Sequence, residues 1–327
     1  MSLEISDVRP ATDSEWDNIW KNCDYATYFH SREWAAIWQK YSKGKINSAA
    51  MLITFSDGEL ALLPFSYIKI LKGFIKQCIS SPAGTFGGWL SLSELSENHG
   101  NLLYEYIITN YKNLMWRLNP FDPIVMRVRV SSSKWDETQV LNLDRGFDSI
   151  YKDWTKGHSS AARKAQKAGV KIKEAVSFRD WKDYYRVYED SLKRWGPSAS
   201  SSYECDLFQY MYNFSSPNIK LWLATYLDQV ISGALCFYAK RHVVYWHGAA
   251  LSDYFSMRPV NLLMYEIIKD ACEHRYHWFD FNPSGGHEGV EKFKSSFGAK
   301  KIACPVVDRK GSVFGIVTAI YSLTRHL

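Results

Sequence analysis

Residues 101–108 read NLLYEYII, and residues 261–268 read NLLMYEII. Each stretch spaces its apolar side chains as an amphipathic helix does, so each predicts a helix that packs one face on a core. Both are followed by an aromatic-rich stretch that ends in Asn-Pro, at Asn119–Pro120 and at Asn282–Pro283. The repeated order of helix, strand and Asn-Pro turn predicts two related α/β units in one chain.

A β-hairpin is predicted ahead of each of these helices. Residues 48–65 read as two strands around a turn at Asp57–Gly58, and residues 221–237 read the same way around Asp228–Gln229. The order of elements therefore recurs along the chain. We expect an α/β (α+β) fold of two tandem domains, each a mixed sheet flanked by helices.

The join between the two domains is predicted near residue 145. Residues 138–143 read as a strand, and a helix-rich stretch, 148–168, follows them. The predicted domains are therefore 1–144 and 145–327.

Composition excludes several classes of protein. The chain has 327 residues, 46% of them hydrophobic and 23% charged, which excludes a disordered chain and a small disulfide scaffold. The net charge of +6 fits an anionic partner, and it equally fits an ordinary soluble protein. No G-x-x-x-x-G-K-[ST], G-x-G-x-x-G, G-x-S-x-G or H-E-x-x-H motif is present, so nucleotide hydrolysis, dinucleotide binding, serine hydrolysis and zincin chemistry have no support.

The six cysteines are scattered, with no C-x-x-C pair and no zinc-like spacing, so we expect reduced thiols and no metal. The polar N-terminus is unlike a signal peptide, and no apolar run approaches the roughly 18 residues of a spanning helix. We expect a cytoplasmic protein, with peripheral association at the inner membrane face as the alternative.

The stretch 278–300 contains the most suggestive chemistry. A predicted strand ends at Asn282–Pro283, Gly285–Gly286 follow, and a helix is expected from about Glu288. A strand end, a glycine-containing turn and a helix that carries a lysine form a corner suited to an acyl or phosphate group. Ordinary turns also use glycine, so this pattern alone is weak.

The same region resembles the C-terminal signature of the FemABX peptidyltransferases, two-domain members of the GNAT superfamily. The resemblance rests on FDF at 279–281, GGHEG at 285–289 and FKSSFG at 293–298. Further matches are FHS at 29–31 with Trp34, Pro82 with FGG at 86–88, and RKAQKAGV at 163–170.

The resemblance implies tandem GNAT-like domains whose C-terminal tail packs back on the first domain. It also implies transfer of an acyl or aminoacyl group to an amine on a cell-envelope precursor or a nucleotide- or lipid-linked sugar. The cosubstrate would be acyl-CoA, an acyl-carrier protein or aminoacyl-tRNA, with no bound cofactor. Residues 252–259 lack the glycine-rich pyrophosphate cradle of CoA-binding members, and no long heptad insertion for a helical arm is present, so the donor stays open.

Three residues are candidates for catalysis. Lys294 matches the family position whose charge stabilises the oxyanion, although a lysine in EKFK is otherwise a surface residue. Asp280 is a candidate proton acceptor from the amine, or a cap for the next turn. His247 is a candidate base or a structural histidine.

A second group of candidates would bind substrate. Phe293 would wall the donor site or pack in the core, and Arg258 precedes a predicted helix start, where a phosphate can bind. The basic stretch that contains Arg163 and Lys167 is either a solvated helix face or a phosphate contact. The full set of predicted substrate-binding residues is Phe293, Arg258, Arg194, Tyr254, Asn282, Arg163 and Lys167.

Two rival functions remain at the level of sequence. One is a noncatalytic protein that binds RNA or another anionic polymer through the basic stretch. The other is a peripheral enzyme that acts on a phospholipid or lipid-linked sugar, with residues 313–327 at the membrane.

Overall fold

The computed structural model describes residues 2–70, 75–131, 134–196, 199 and 202–311. The chain folds into two compact units: unit 1 contains the described residues of 1–136 and 303–311, and unit 2 contains those of 137–302. The observed division thus precedes the predicted join at 144/145, because the strand that spans this region pairs inside unit 2 from residue 140 onward. Residues 313–327, predicted to form a membrane-associated tail, lie outside the described residues.

Strands and helices follow one another along the described part of the chain in the kind of mixed order that the sequence predicts. The strands are β1 (Ile5–Pro10), β2 (Ile46–Phe55), β3 (Leu60–Ile70), β4 (Ile75–Ile79), β5 (Leu114–Arg117), β6 (Lys134–Asn142), β7 (Lys171–Glu174), β8 (Ile219–Tyr226), β9 (Gln229–Tyr238), β10 (His242–Ala250), β11 (Trp278–Asp280) and β12 (Lys300–Arg309). The helices are α1 (Asp13–Asn22), α2 (Arg32–Tyr41), α3 (Glu97–Asn110), α4 (Phe147–Lys152), α5 (Lys156–Lys167), α6 (Phe178–Trp195), α7 (Cys205–Asn213), α8 (Pro259–Glu273) and α9 (Glu288–Ser295).

Both units contain a mixed sheet with the same strand arrangement. In unit 1 the order is β1-β2-β3-β4-β5-β12, with β4 and β5 parallel and the other pairs antiparallel. In unit 2 the order is β7-β8-β9-β10-β11-β6, with β10 and β11 parallel and the other pairs antiparallel. The predicted fold class is therefore confirmed, and the two units have the same sheet topology.

The sixth strand of each sheet follows the elements of the other unit in the sequence. Strand β6, which follows the elements of unit 1 in sequence, pairs with β11 in unit 2. Strand β12, which follows the elements of unit 2, pairs through Val306–Arg309 with β5 in unit 1. The closing strands of the two repeats are thus exchanged.

A two-residue turn closes the hairpin of unit 2. The turn between β8 and β9 has Leu227 and Asp228 at its centre, with φ of 47° and 61°. Both angles are positive, as a two-residue type I′ turn requires, and this turn is favoured because its twist matches that of the flanking strands. The turn therefore lies one residue earlier than the predicted Asp228–Gln229.

The sheet of unit 2 packs helices against alternate residues of β9. Ala234 and Cys236 join a buried cluster with residues of α5 and α8. Gly233 instead meets α6, and a Cβ there would lie 2.4 Å from the ring of Tyr184. A glycine is required at 233 because α6 approaches the sheet so closely.

All six cysteines are free thiols. No helix among the described residues is both long and apolar enough to cross a bilayer. The described residues also contain no cluster of three or more metal-ligating side chains.

Candidate active site

The turn that joins β11 to α9 brings three predicted residues together. Asn282 has a left-handed backbone, with φ of 62°. Its main-chain N–H donates to Oδ1 of Asp280 at 2.8 Å, and its carbonyl accepts from Nζ of Lys294 at 2.5 Å. Asp280, Asn282 and Lys294 therefore form one hydrogen-bonded corner at the end of the strand.

Lys294 is a buried lysine. It is 4% exposed and lies in the last turn of α9. Its neighbour Lys292 is exposed and forms an ion pair with Glu288 at 2.7 Å along the same helix. The structure thus excludes the interpretation of Lys294 as a surface residue, and its oxyanion role remains a prediction.

Asp280 is fully buried, and most of its contacts hold the fold. Its Oδ1 accepts from the hydroxyl of Thr138 at 2.5 Å and from the N–H of Asn282, while Oδ2 lies 3.4 Å from Nε2 of His242. These bonds favour the predicted alternative, a cap for the following turn. Proton transfer by Asp280 stays a prediction.

Gln139, on β6, is a site residue that sequence reasoning missed. The residue is 2% exposed, and its Nε2 donates to the carbonyl of Glu291 at 3.1 Å and to Oγ of Ser295 at 2.8 Å. Its Oε1 accepts from Oγ of Ser284 at 3.3 Å. A polar residue inside the predicted strand 138–143 is the one signal that marks it, because buried polar groups need partners.

Phe293 lies beside a histidine that was also missed. The ring of His158, on α5, contacts Phe293 with centroids 5.7 Å apart and Phe297 at 5.2 Å. Its Nδ1 lies 2.8 Å from Nδ2 of Asn261, at the start of α8. Since that amide nitrogen is a donor, Nδ1 accepts and the imidazole proton lies on Nε2.

Arg258 lies at the N-terminus of α8, next to this histidine. It occupies the cap position in a left-handed conformation, with φ of 60°, and its side chain is exposed. Burial, and secondarily the charge of Arg258, lower the pKa of His158. The imidazole is therefore neutral beside a cation, with an N–H that can donate.

Helix α5 exposes a cationic face. Arg163 and Lys167 are both exposed and lie four residues apart, while Ala162 and Ala165 are buried. The first turn of the helix contains no acidic residue to offset these charges. Like charges at this spacing repel each other.

His247 lies in a separate aromatic cluster. Its Nδ1 is 2.6 Å from the hydroxyl of Tyr184, and the rings of Tyr188 and Phe208 surround it. Burial lowers the pKa of His247 to about 3. A neutral, enclosed imidazole fits the structural interpretation better than that of a base.

Two further predicted binding residues contact other groups. Arg194 donates to the carbonyl of Ala250 at 3.3 Å, and its guanidinium lies 4.8 Å from the ring centroid of Phe255. The hydroxyl of Tyr254 donates to Oε1 of Gln229 at 2.9 Å. Both side chains therefore have structural partners, and their roles in substrate binding stay predictions.

Comparison with known proteins identifies the domain that carries this corner. Residues 155–295 match the family described as Acetyltransferase (GNAT) domain. This range lies wholly within unit 2 and contains Lys294, Asp280, Asn282 and Arg258. No curated protein matches the chain by sequence.

Solved structures share the fold over nearly the whole length. FemX aligns over 95% of this chain and 99% of its own, with a TM-score of 0.73 and 12% identity. The C-terminal domain of a putative lysylphosphatidylglycerol synthetase from Agrobacterium fabrum aligns over 95% and 96%, with a TM-score of 0.57 and 10% identity. L-PGS from Bacillus licheniformis aligns over 83% and 88%, with a TM-score of 0.51 and 10% identity.

At 10–12% identity, the similarity to these structures shows that the fold is shared. The chemistry is indicated by the match of residues 155–295 to the acetyltransferase domain. Residues 155–295 are therefore a GNAT-type N-acyltransferase domain, within a chain whose fold is similar to that of FemX over nearly its whole length.

Proposed function

We propose that the protein transfers an acyl or aminoacyl group from a thioester or ester donor to an amine of a cell-envelope precursor, such as a nucleotide- or lipid-linked sugar. The likeness to FemX and to the lysylphosphatidylglycerol synthetase structures supports this acceptor class. The proposed donors, acyl-CoA, acyl-carrier protein and aminoacyl-tRNA, are cytoplasmic molecules. We therefore propose a cytoplasmic reaction, in solution or at the inner membrane face.

The observation that carries the proposal is the fixed ammonium of Lys294. One of its protons is donated to the carbonyl of Asn282, and the whole residue is withdrawn from solvent. An ammonium held in a water-poor setting stabilises a developing anion far more than one in bulk water. Lysine on a surface would provide no such effect.

The reaction follows from this placement. The amine nitrogen of the acceptor attacks the donor carbonyl carbon, a C–N bond forms, and the carbonyl oxygen becomes an oxyanion beside Lys294. The C–S or C–O bond of the donor then breaks, and the amine proton passes to the leaving thiolate or alkoxide. In this proposal Lys294 acts through its positive charge and takes no part in the proton transfer.

Phosphate recognition by the donor site is the second part of the proposal. The proposed phosphate-binding surface consists of Arg258 at the N-terminus of α8, the Nε2–H of His158 beside Phe293, and the exposed cations of α5. Coenzyme A and tRNA both carry phosphates, and a helix N-terminus favours such anions. This surface therefore suits either donor.

The test is a transfer assay read by mass spectrometry. The protein is incubated with acetyl-CoA or with mixed aminoacyl-tRNAs, and with either a UDP-linked muropeptide or phosphatidylglycerol vesicles as acceptor. We expect a product whose mass is that of the acceptor plus one acyl or aminoacyl group. Lys294→Met should lower its rate by about 10²–10³-fold, the usual cost of one oxyanion donor.

Lys292→Met is the matched control, because Lys292 is exposed on the same helix. Its turnover should equal that of the native protein. Equal, small losses in both variants would contradict the role of Lys294. Binding of RNA without transfer to either acceptor would instead support the noncatalytic alternative, and transfer to phosphatidylglycerol alone would support the phospholipid enzyme.

A further inference from the structure

The short helix that carries Lys294 depends on contacts outside itself. Helix α9 has only eight residues, and its cap residue His287 makes no side-chain capping bond. The preceding turn contains Gly285 and Gly286, both with positive φ. Isolated helices of this length are unstable in water, so tertiary contacts must hold α9 in place.

Gln139 provides such contacts on both sides of Lys294. Its Nε2 binds the carbonyl of Glu291, three residues before the lysine, and Oγ of Ser295, the residue after it. Its Oε1 binds Ser284, in the turn that leads into the helix. One carboxamide thus joins β6, the turn and the helix, and uses both donors and its acceptor.

The backbone of Gln139 also holds the strand end. The N–H of Phe281 donates to the carbonyl of Gln139 at 2.9 Å, next to the corner formed by Asp280 and Asn282. The acceptor carbonyl for Lys294 and the helix that carries Lys294 are therefore both held by the same residue of β6.

We propose that Gln139 is the positioning residue of the active-site corner: it fixes α9 relative to the Asn282 carbonyl and so sets the place of the Lys294 ammonium. It touches no reacting atom. The inference rests on the role proposed above for Lys294, and it adds a residue of β6 to a site otherwise built from residues 280–294.

The first test needs no substrate. The protein is acetylated briefly with an N-hydroxysuccinimide ester of acetic acid, and the modified lysines are quantified by mass spectrometry. In the native protein Lys294 should be acetylated at least about tenfold more slowly than Lys292, because the local structure must open before the reagent reaches a buried lysine. Gln139→Met should raise the acetylation rate of Lys294 by about tenfold. Loss of its hydrogen bonds should make the opening that exposes Lys294 about tenfold more frequent.

Tyr238→Phe is the matched control, because it removes a partly buried hydrogen bond of unit 2, donated by Trp222 to the hydroxyl of Tyr238 at 3.0 Å, without touching the corner. Its Lys294 should stay as protected as in the native protein. Unchanged protection in Gln139→Met, or equal loss in Tyr238→Phe, would overturn the proposal. Ser295→Ala offers a milder variant should Gln139→Met not fold: it removes one bond and should give a smaller increase.

The second test separates this inference from the proposed function. In the transfer assay Gln139→Met should lower kcat by about 10- to 100-fold with KM unchanged, the effect of misplacing a catalytic group slightly. In a Lys294→Met background it should add nothing, because its action passes through that lysine. If the losses of kcat from the two substitutions multiply in the double variant, the inference is overturned. If Lys294→Met alone has native turnover, the proposed function is overturned. The labelling experiment then tests Gln139 by itself.

Discussion

The Nζ of Lys294 donates a hydrogen bond to the main-chain carbonyl of Asn282 at 2.5 Å. The position of the ammonium is therefore tied to the backbone angle of residue 282, whose φ is 62°. Asparagine tolerates this left-handed conformation better than most residues, which explains an Asn at this place.

The backbone dependence predicts different outcomes for two variants of Asn282. Asn282→Gly adopts the left-handed angle without strain and should keep the native melting temperature and a higher turnover than Asn282→Val. Asn282→Val strains the backbone and should lower the free energy of unfolding by about 1–2 kcal/mol, with a loss of turnover. Thermal unfolding and the transfer assay measure both effects, and equal behaviour of the two variants would contradict the link.

A variant of Asp280 separates a proton acceptor from a structural cap. Asp280→Asn keeps the Oδ1 that accepts from Asn282 and removes the charge. As a cap, it should retain at least about a tenth of native turnover, whereas loss of a general base costs about 10²–10⁴-fold. The transfer rate of this variant decides between the two, with Thr138→Val as a control that removes another bond to the same oxygen.

His247 should destabilise the fold at acid pH. Its pKa in the folded protein is about 3, while an unfolded histidine has one near 6.5, so the unfolded state binds more protons between these values. The contribution of His247 to the free energy of unfolding should therefore fall as pH drops from about 6.5 towards 3. His247→Asn should flatten this fall in urea titrations and cost less than about tenfold in turnover; a loss of a hundredfold at unchanged KM would instead mark a base.

Asp122, in unit 1, should make the free energy of unfolding depend on pH in the opposite sense. Burial raises the pKa of this carboxyl to about 7, against an ordinary value of 3.8. The folded state holds a proton that the unfolded state has lost, so the contribution of Asp122 to the free energy of unfolding should fall as pH rises from about 4 to about 7 and then level off.

Asp122→Asn removes this ionisation and keeps the Oδ1 that accepts from the N–H of Ile124 at 3.0 Å. The variant should be more stable than the native protein at pH 8, by about 1–4 kcal/mol, and nearly equal at pH 4. Denaturant unfolding at the two pH values measures this. The same stability difference between Asp122→Asn and the native protein at pH 4 and at pH 8 would contradict it.

Arg258 should control the protonation of His158. Because the guanidinium charge contributes to the lowered pKa, Arg258→Gln should raise the pKa of His158 towards its ordinary value. An NMR titration of the imidazole measures the change, and Arg186→Gln, an exposed arginine on α6 paired with Asp183, is the control. An identical titration in native protein and Arg258→Gln would show that burial alone sets the pKa.

The sequence predicts those features that depend on local pattern. The helices at 101–108 and 261–268, the two hairpins and the start of α9 near Glu288 follow from apolar spacing and turn residues. The turn at Leu227 shifts by one residue because a bulky residue is unexpected at positive φ.

Long-range contacts within the site were beyond such reasoning. Gln139 meets Ser295 across 156 residues, and no local pattern encodes that pairing. His158 and Asn261 are likewise 103 residues apart, so neither signals the other in the sequence. The resemblance located Lys294, but only tertiary packing determines that it is buried.

The exchange of closing strands has a consequence for how the chain matures on the ribosome. The edge of β5 gains its antiparallel neighbour only when residues 306–309 have been synthesised, after nearly the whole of unit 2. Until then the nascent first repeat presents an open sheet edge, which in other proteins invites misassembly. Each predicted half, expressed by itself, would lack the last strand of its sheet. The two halves should therefore recover native structure when they are produced together. Either half produced alone should keep an incomplete sheet.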